Sequence, residues 1–471
     1  MSEKPEAHMR DSDAFSWYME RDPLLRSTVV SVLVFDRCPD LAVLLDKAER
    51  ASRLVPGLRH RLVEPPLRLA PPRWTVDPDF DLSWHVRHVE VPHPKTLGTV
   101  LELARIAGMA GFDPARPMWE WTLVEGLEGG RAAVVLKLHH SLTDGIGGMQ
   151  LATTLFDLEP GLSDPGPMPD VPEPEHFSQP GVLIDALAYN WSRVSGFARR
   201  HATTAVGDAG RALRNPAETL GIALETVQSI ARMVRPVSDT RSPVMTERKL
   251  SWHYDVLELP LDDLKRAAKA AGGTLNDAFV GGVVGGLRRY HERHSASPDE
   301  LRVTLPISIR HEDDPAGGNR ITLMRFTIPM GILDAVERLR SVHWLTNKAR
   351  AEPSIPLTNA IAGALNLLPP GMIGGMFKHV DFLASNVPGL EMPLYLGPAR
   401  LERFYPFGPT IGAAVNVTLL SYCDSCGIGV NTDTGAVPDP DVLMDCLRED
   451  FEEILDLGGE HGAVRLPAHA G

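Results

Sequence analysis

Cysteine is scarce in this chain. There are four among 471 residues: Cys38, Cys423, Cys426 and Cys446. That count excludes a disulfide scaffold and fits a reducing compartment. Basic charge is also short, with 47 Lys and Arg against 61 Asp and Glu and a net charge of −14. Phosphate backbones need a basic face, so this balance argues against a nucleic-acid partner and weakens simple electrostatic docking on anionic lipid. Uninterrupted apolar sequence is lacking too. The opening MSEKPEAHMRDSD has no apolar core, which predicts no signal peptide. The nearest candidate for a membrane span, residues 355–377, carries no charge, but Pro369 and Pro370 break it and Asn359 and Asn366 interrupt it. A spanning helix needs roughly 20 continuous apolar residues. Two readings of the stretch stand: a buried helix with a breaker and a second short helix, or an apolar surface that meets lipid or lines a lipid tunnel.

Several catalytic signatures are absent as well. No G-x-S-x-G elbow is present, so a serine hydrolase is not supported. HERH (291–294) is one residue short of the zinc-helix pattern H-E-x-x-H. Cys423 and Cys426 form a C-x-x-C with no second pair, and they read as small residues beside a strand. No repeat of solenoid period occurs.

What is present organises into three parts. The length suggests two or three domains. The first, 10–158, mixes strands and helices: TVVSVLVF (28–35) and RAAVVLKL (131–138) read as strands, DLAVLLDKAERASRLV as an amphipathic helix. The second, 159–247, begins with a stretch holding seven prolines up to Pro180, extended and stiff as a linker is. It continues into helical sequence with scattered arginines, among them Arg193, Arg199, Arg200, Arg211, Arg214, Arg232 and Arg235. That sequence reads either as an ordinary helical pair split at Pro216 or as a local basic patch for a membrane surface. The third part, 248–460, again mixes strands (SWHYDVLELP, LRVTLPISI) with helices. One helix, entered through Thr274 or Asn276, contains Gly281, Gly282, Gly285 and Gly286. Glycines inside a helix serve close approach of another backbone rather than phosphate binding.

The chemistry concentrates at KLHHSLTDGIGG (137–148), where a strand ends and a helical pattern begins. A neutral imidazole is the standard base for a hydroxyl that attacks, provided one ring nitrogen is free and the tautomer is fixed. His140 fits that role. Asp144 could orient the ring or hold the loop by pairing with an arginine, and Gly145 could bare N–H groups toward an oxyanion. Adjacent histidines alone would be read as structural. The full spacing HH-x-x-x-D-G arises by chance on the order of once in several hundred chains of this size.

HHSLTDG matches the HHxxxDG signature of the acyl-CoA-dependent acyltransferases, which include chloramphenicol acetyltransferase and peptide-synthetase condensation domains. Within them the chain resembles the bacterial wax ester synthase/diacylglycerol acyltransferases: PMWEW (117–121) is similar to their PLW motif, TLNDAFV (274–280) to their N-D motif, and VTLPISIR, GGNR (317–320) and SNVPGLEMPLYLGPARL (385–401) to further segments in the same order. Met118 stands where the motif often has leucine. The resemblance implies an α/β fold of two chloramphenicol acetyltransferase-like lobes, joined by a helical connector, with the active site in a tunnel between them. It implies His140 as general base, His139 as its support, and Asp144 as a structural residue paired with Arg59, or failing that Arg61. Trp119, Asn276 and Asp277 follow as substrate-binding or structural residues, the last two at the lobe interface, and Ser385 and Asn386 as polar groups near the thioester. It implies transfer of a long-chain acyl group from acyl-CoA, a substrate rather than a cofactor, to diacylglycerol or a fatty alcohol, without a metal. The expected setting is cytoplasmic, with peripheral contact to membrane or lipid droplet. Other readings within reach are another hydroxyl or amine acceptor, or a lipid-binding homologue without turnover.

Overall fold

The computed structural model describes residues 7–142, 154–161, 166–178, 180–193, 195, 224–231, 237–308, 321–366, 378–460 and 462–466. Asp144, Gly145, the GGNR run, Pro369, Pro370 and all the arginines singled out between 199 and 235 lie outside these residues.

The strands run in chain order as β1 (Thr28–Phe35), β2 (His60–Val63), β3 (Arg73–Val76), β4 (Val86–Glu90), β5 (Trp119–Glu125), β6 (Ala132–His139), β7 (Trp252–Pro260), β8 (Glu300–Ser308), β9 (Ile321–Pro329), β10 (Phe382–Val387), β11 (Tyr395–Leu396), β12 (Ala399–Phe407), β13 (Val415–Tyr422) and β14 (Ser425–Asp433). They form two six-stranded sheets, ordered β11-β12-β1-β6-β5-β4 and β7-β14-β13-β10-β8-β9, with β2 and β3 as a separate hairpin. The architecture is therefore α/β with a sheet for each half of the sequence. The halves are not closed on themselves. β11 and β12 come late in the sequence, yet β12 pairs antiparallel with β1, Val30 opposite Phe407. β12 then lies against β14 of the second sheet. A Cβ at Gly427 or Gly429 would run into the carbonyl oxygens of Phe404 and Pro406, so only glycine lets the two backbones meet there.

Apolar β-branched residues place β1 and β6 at the middle of the first sheet, where both faces are covered. Val30, Val32 and Leu33 are fully buried, and so are Ala132 and Ala133. Around the sheets pack α1 (Asp11–Met19), α2 (Leu41–Leu54), α3 (Leu97–Met109), α4 (Leu261–Ala270), α5 (Leu275–Arg293), α6 (Ala335–Arg350), α7 (Thr358–Leu365) and α8 (Pro440–Asp456). The glycines inside α5 do what their position implies. A Cβ on Gly286 would stand 2.8 Å from the Leu447 Cα of α8, and one on Gly281 would meet Leu339 of α6.

The charge-free stretch begins as a helix packed on the N-terminal one: Leu365 joins Phe15, Met19 and Leu25, and the Asn366 side-chain amide donates to the Asp11 carbonyl at 2.9 Å. Residues 166–178 form neither helix nor strand, and 180–193 and 224–231 are helical. Cys423 sits with Asp424 in the two-residue turn between β13 and β14. Cys426 is sealed in the second core, where burial pushes its thiol up to about 12.

Candidate active site

The histidine pair is fixed by its backbone before its side chains are considered. β6 ends at His139, with β1 on one side (Thr28 opposite His139) and β5 on the other (Trp119 opposite Leu138). The His139 N–H donates to the Met118 carbonyl at 3.0 Å. The His140 N–H donates to the Ser27 carbonyl at 2.9 Å. Each neighbouring chain thus holds one histidine, and the strand cannot slide without losing both bonds.

His139 is fully buried. Its Nδ1 accepts the Ser141 N–H at 3.1 Å and lies 2.7 Å from the Ser141 hydroxyl, which leaves the proton of the neutral ring on Nε2. Glu20 Oε1 stands 3.3 Å from that Nε2, but off the line of its N–H, so among the described residues the nitrogen has a carboxylate neighbour and no in-line hydrogen bond. Trp17 and Phe112 meet the ring edge-on at 5.8 and 6.1 Å between centroids. Burial by itself would raise the Glu20 carboxyl. The adjacent His139, the Ser27 N–H at 2.5 Å and Arg26 outweigh it and hold the group below its ordinary value. Ser27 is the node here, giving its N–H to Glu20 and taking the N–H of His140.

His140, one residue beyond the strand, is half-buried where His139 is fully buried. Two residues before His139, Lys137 is buried over the Phe112 ring and binds Glu120 at 2.9 Å. Desolvation pushes its ammonium down, and Glu120 opposes this. Around His139 the site is therefore a buried polar cluster under an aromatic cover, and His140 stands half-buried at its end.

The remaining expected residues divide. Asp144 and Gly145, and with them the pairing to Arg59, lie outside the described residues. Arg59 is held by Glu49 at 2.5 Å and Ser52 at 3.0 Å, with its guanidinium over Phe80, and Arg61 lies 4.0 Å from Asp77. Trp119 is a core residue. Its indole N–H donates to the Leu58 carbonyl at 2.8 Å and its ring stacks on His85 at 4.4 Å. What the PMW motif brings to the site is the Met118 carbonyl. Asp277 closes the capping box of α5, accepting from the Thr274 N–H at 2.7 Å and hydroxyl at 2.8 Å, and also lies 2.8 Å from His343 Nδ1. Asn276 is half-buried in the first turn of the same helix. Ser385 and Asn386 are half-buried on β10, opposite Thr418 and Leu419 in the second sheet. Sequence reasoning missed Glu20, Ser27 and Ser141. Only Ser141 carried a signal, its place inside the motif.

Residues 9–279 match the wax ester synthase/diacylglycerol acyltransferase catalytic domain, and residues 317–455 match the C-terminal domain of the same proteins. The chain belongs to the wax ester synthase/diacylglycerol acyltransferase family. A putative diacylglycerol O-acyltransferase of Mycobacterium tuberculosis is 36% identical over 454 residues, covering 95% of this chain and 92% of the relative. A second from the same organism is 30% identical over 427 residues, 86% of this chain and 87% of its own length. Among solved structures, the wax ester synthase/diacylglycerol acyltransferase of Marinobacter aquaeolei VT8 shares the fold at a TM-score of 0.64 and 22% identity, over 96% of this chain and all of that one. The first condensation domain of the calcium-dependent antibiotic synthetase shares it at 0.63 and 16% identity, over 97% and 99% of the two chains. As a member of the wax ester synthase/diacylglycerol acyltransferase family, the protein is an acyl-CoA-dependent O-acyltransferase.

Proposed function

We propose that the protein moves a long-chain acyl group from acyl-CoA to the free hydroxyl of diacylglycerol, with long-chain alcohols as a second acceptor and His140 as the general base. The observation that carries the base assignment is the asymmetry of the histidine pair: His139 is fully buried with Trp17 and Phe112 against its ring, whereas His140, one residue beyond the strand and anchored by its backbone, is only half-buried. The names of the mycobacterial relatives support diacylglycerol as acceptor.

In this reaction His140 takes the acceptor proton as oxygen attacks the thioester carbonyl. The carbon–oxygen bond forms, the tetrahedral intermediate collapses with loss of the carbon–sulfur bond, and the imidazolium returns its proton to the CoA thiolate. Free thiol and ester result. Holding both reactants in one channel removes the entropy cost of a bimolecular encounter. Asp144 and Gly145 shape the loop after the base, and Asp144 pairs with Arg59 or Arg61. Asn276 and Asp277 belong to the lobe interface, and Ser385 and Asn386 approach the thioester. No metal or covalent intermediate takes part.

Peripheral lipid contact belongs to the same reading. On the helical stretch 180–193, Ile184, Leu187 and Trp191 lie three and four residues apart and are 66%, 55% and 77% exposed, an apolar stripe suited to an acyl-chain surface. No helix among the described residues is long and apolar enough to cross a membrane.

The test is CoA release by the purified protein, followed with a thiol reagent, from palmitoyl-CoA with a diacylglycerol or hexadecanol, beside His140→Ala. Acceptor-dependent release that the substitution abolishes supports the reading and ranks the acceptors. Release that survives the substitution removes His140 from the mechanism, and no release with either acceptor points to another hydroxyl or amine.

A further inference from the structure

Away from the histidine pair, a cavity of about 880 Å³ opens against the β8–β9 hairpin, between it, the end of α6 and residues 237–241. Its described lining holds four cations, Arg241, Arg302, Arg325 and Lys348, against the carboxylates of Asp239 and Glu352. In a chain of net charge −14 this is a local reversal of sign. Glu352 already accepts the Ser229 hydroxyl at 2.5 Å.

The sheet register shows how the cations are arranged. Arg302 faces Thr327 and Arg325 faces Thr304 across the hairpin, so the two guanidiniums sit diagonally on one face of the sheet. The neighbours that alternate with them, Leu301, Val303, Met324 and Ile328, turn to the other side and are buried. Like charges at diagonal positions repel. Desolvation pushes both guanidiniums down, and each has another arginine acting in the same direction, Arg241 on Arg302 and Arg302 on Arg325. Arg302 is also held in place, its Nη1 donating to the Asp239 and His379 carbonyls at 2.7 and 2.8 Å. The cavity's size lies at the upper end of small-molecule sites. Leu323, on the same face as Arg325, adds apolar lining against which a flat ring can lie.

Two arginines on a partly covered sheet face, one of them fixed by two carbonyls, with more cations at the rim and an apolar residue beside them, suit a multiply phosphorylated nucleotide. We propose that this cavity binds the phosphate-bearing adenine nucleotide end of the acyl-CoA donor. The inference rests on the reading of acyl-CoA as donor and adds where its nucleotide is held. A phosphate on a lipid headgroup shares the anion chemistry. The enclosed position of Arg302 and Arg325 favours the nucleotide, which enters a cavity whole.

The experiment compares two donors, palmitoyl-CoA and palmitoyl-pantetheine, which lacks the nucleotide, in the wild type, Arg325→Gln and Lys348→Ala. Lys348 is exposed, so its variant keeps the test open if the other fails to fold. The expected result is a fall of about tenfold in the ratio of kcat/KM for palmitoyl-CoA to that for palmitoyl-pantetheine, with a matching rise in the Kd of adenosine 3′,5′-bisphosphate measured by calorimetry. An unchanged ratio and Kd in both variants overturns the proposal. So does a loss confined to binding of vesicles containing phosphatidylglycerol, which assigns the cations to a lipid headgroup. If the wild type turns over neither donor, the donor reading fails, and the calorimetry alone then decides whether the cavity takes the nucleotide.

Discussion

Two short motifs of the family, at His139–His140 and at Asn276–Asp277, stand at the same kind of place, the junction of a regular element with a loop, and the structure treats them differently. At Asp277 one carboxylate oxygen takes the Thr274 N–H, the Thr274 hydroxyl and the approach of His343, all within 2.8 Å. That oxygen is fully occupied by the helix cap and His343. At His139 a ring nitrogen in a fully buried position has no in-line partner among the described residues and faces Glu20 instead. Buried polar groups are almost always satisfied, so an exception needs a reason, and function is one. Membership of a motif does not separate support from chemistry.

The widest separation between the two motifs should come from His140→Ala. Removal of a positioned general base costs about 10²–10⁴ in rate. The residue is half-buried and its backbone bond to Ser27 survives the change, so the melting temperature should move by a few degrees at most. CoA release and differential scanning fluorimetry on one preparation check both halves. A variant within tenfold of wild-type kcat would remove the distinction.

Asp277→Ala should do the reverse. It deletes the capping box and leaves the Thr274 N–H and His343 without their acceptor, a loss of about 2 kcal/mol. Urea unfolding should show that loss, while kcat per folded molecule stays within about twofold. A normal urea midpoint with a collapsed kcat would place the N-D motif in the reaction instead.

What the sequence disclosed follows the range of the forces involved. Periodicity marks β1, β6, α2 and α5 because each is decided by its own side chains. The helix-internal glycines were readable as close-approach sites because a glycine there has few other uses, and Gly286 against Leu447 is such a site. The placement of β12 beside β1 was not readable. It depends on pairing between residues about 370 positions apart, and no local pattern records that. Within the site, the motif gave His139 and His140, and the backbone hooks came from elsewhere. Glu20 follows the last residue of α1 in an ordinary charged run, MERD, and only the fold brings it to His139. Trp119 illustrates the opposite error: a motif residue expected near substrate turns out to be core, stacked on His85.

Glu20→Gln tests the buried side of the histidine site with a smaller effect. The folded carboxyl titrates below its ordinary value of 4.5, so its ionised form is favoured by the native state. That stabilisation is present above the unfolded value and is lost as pH falls through the folded one. The wild type should therefore lose stability on acidification below about pH 4.5 more steeply than the glutamine variant, whose side chain does not titrate. Near pH 7 the variant should keep its fold and lose several-fold in kcat, because an amide next to Nε2 no longer favours one orientation of the His139 ring. Thermal unfolding from pH 3.5 to 7 reads the first effect. Parallel curves for the two proteins would show that Glu20 is not ionised beside His139.

The smallest effect belongs to the one departure from the family pattern. Met118 is buried with Met9, Ala14, Tyr18 and Leu62, and its carbonyl holds the His139 N–H. The carbonyl is common to every residue, so Met118→Leu changes packing alone. Leucine and methionine have similar volumes, and such exchanges cost less than about 1.5 kcal/mol. The stability change should stay within that limit, and kcat should change by less than about twofold, as read by urea midpoint and CoA release. A tenfold change in rate would mean that the thioether itself reaches the reacting groups. The weight of the motif would then shift from its backbone to its side chain, and the His139 strand end would owe its geometry to more than the two hydrogen bonds that hold it.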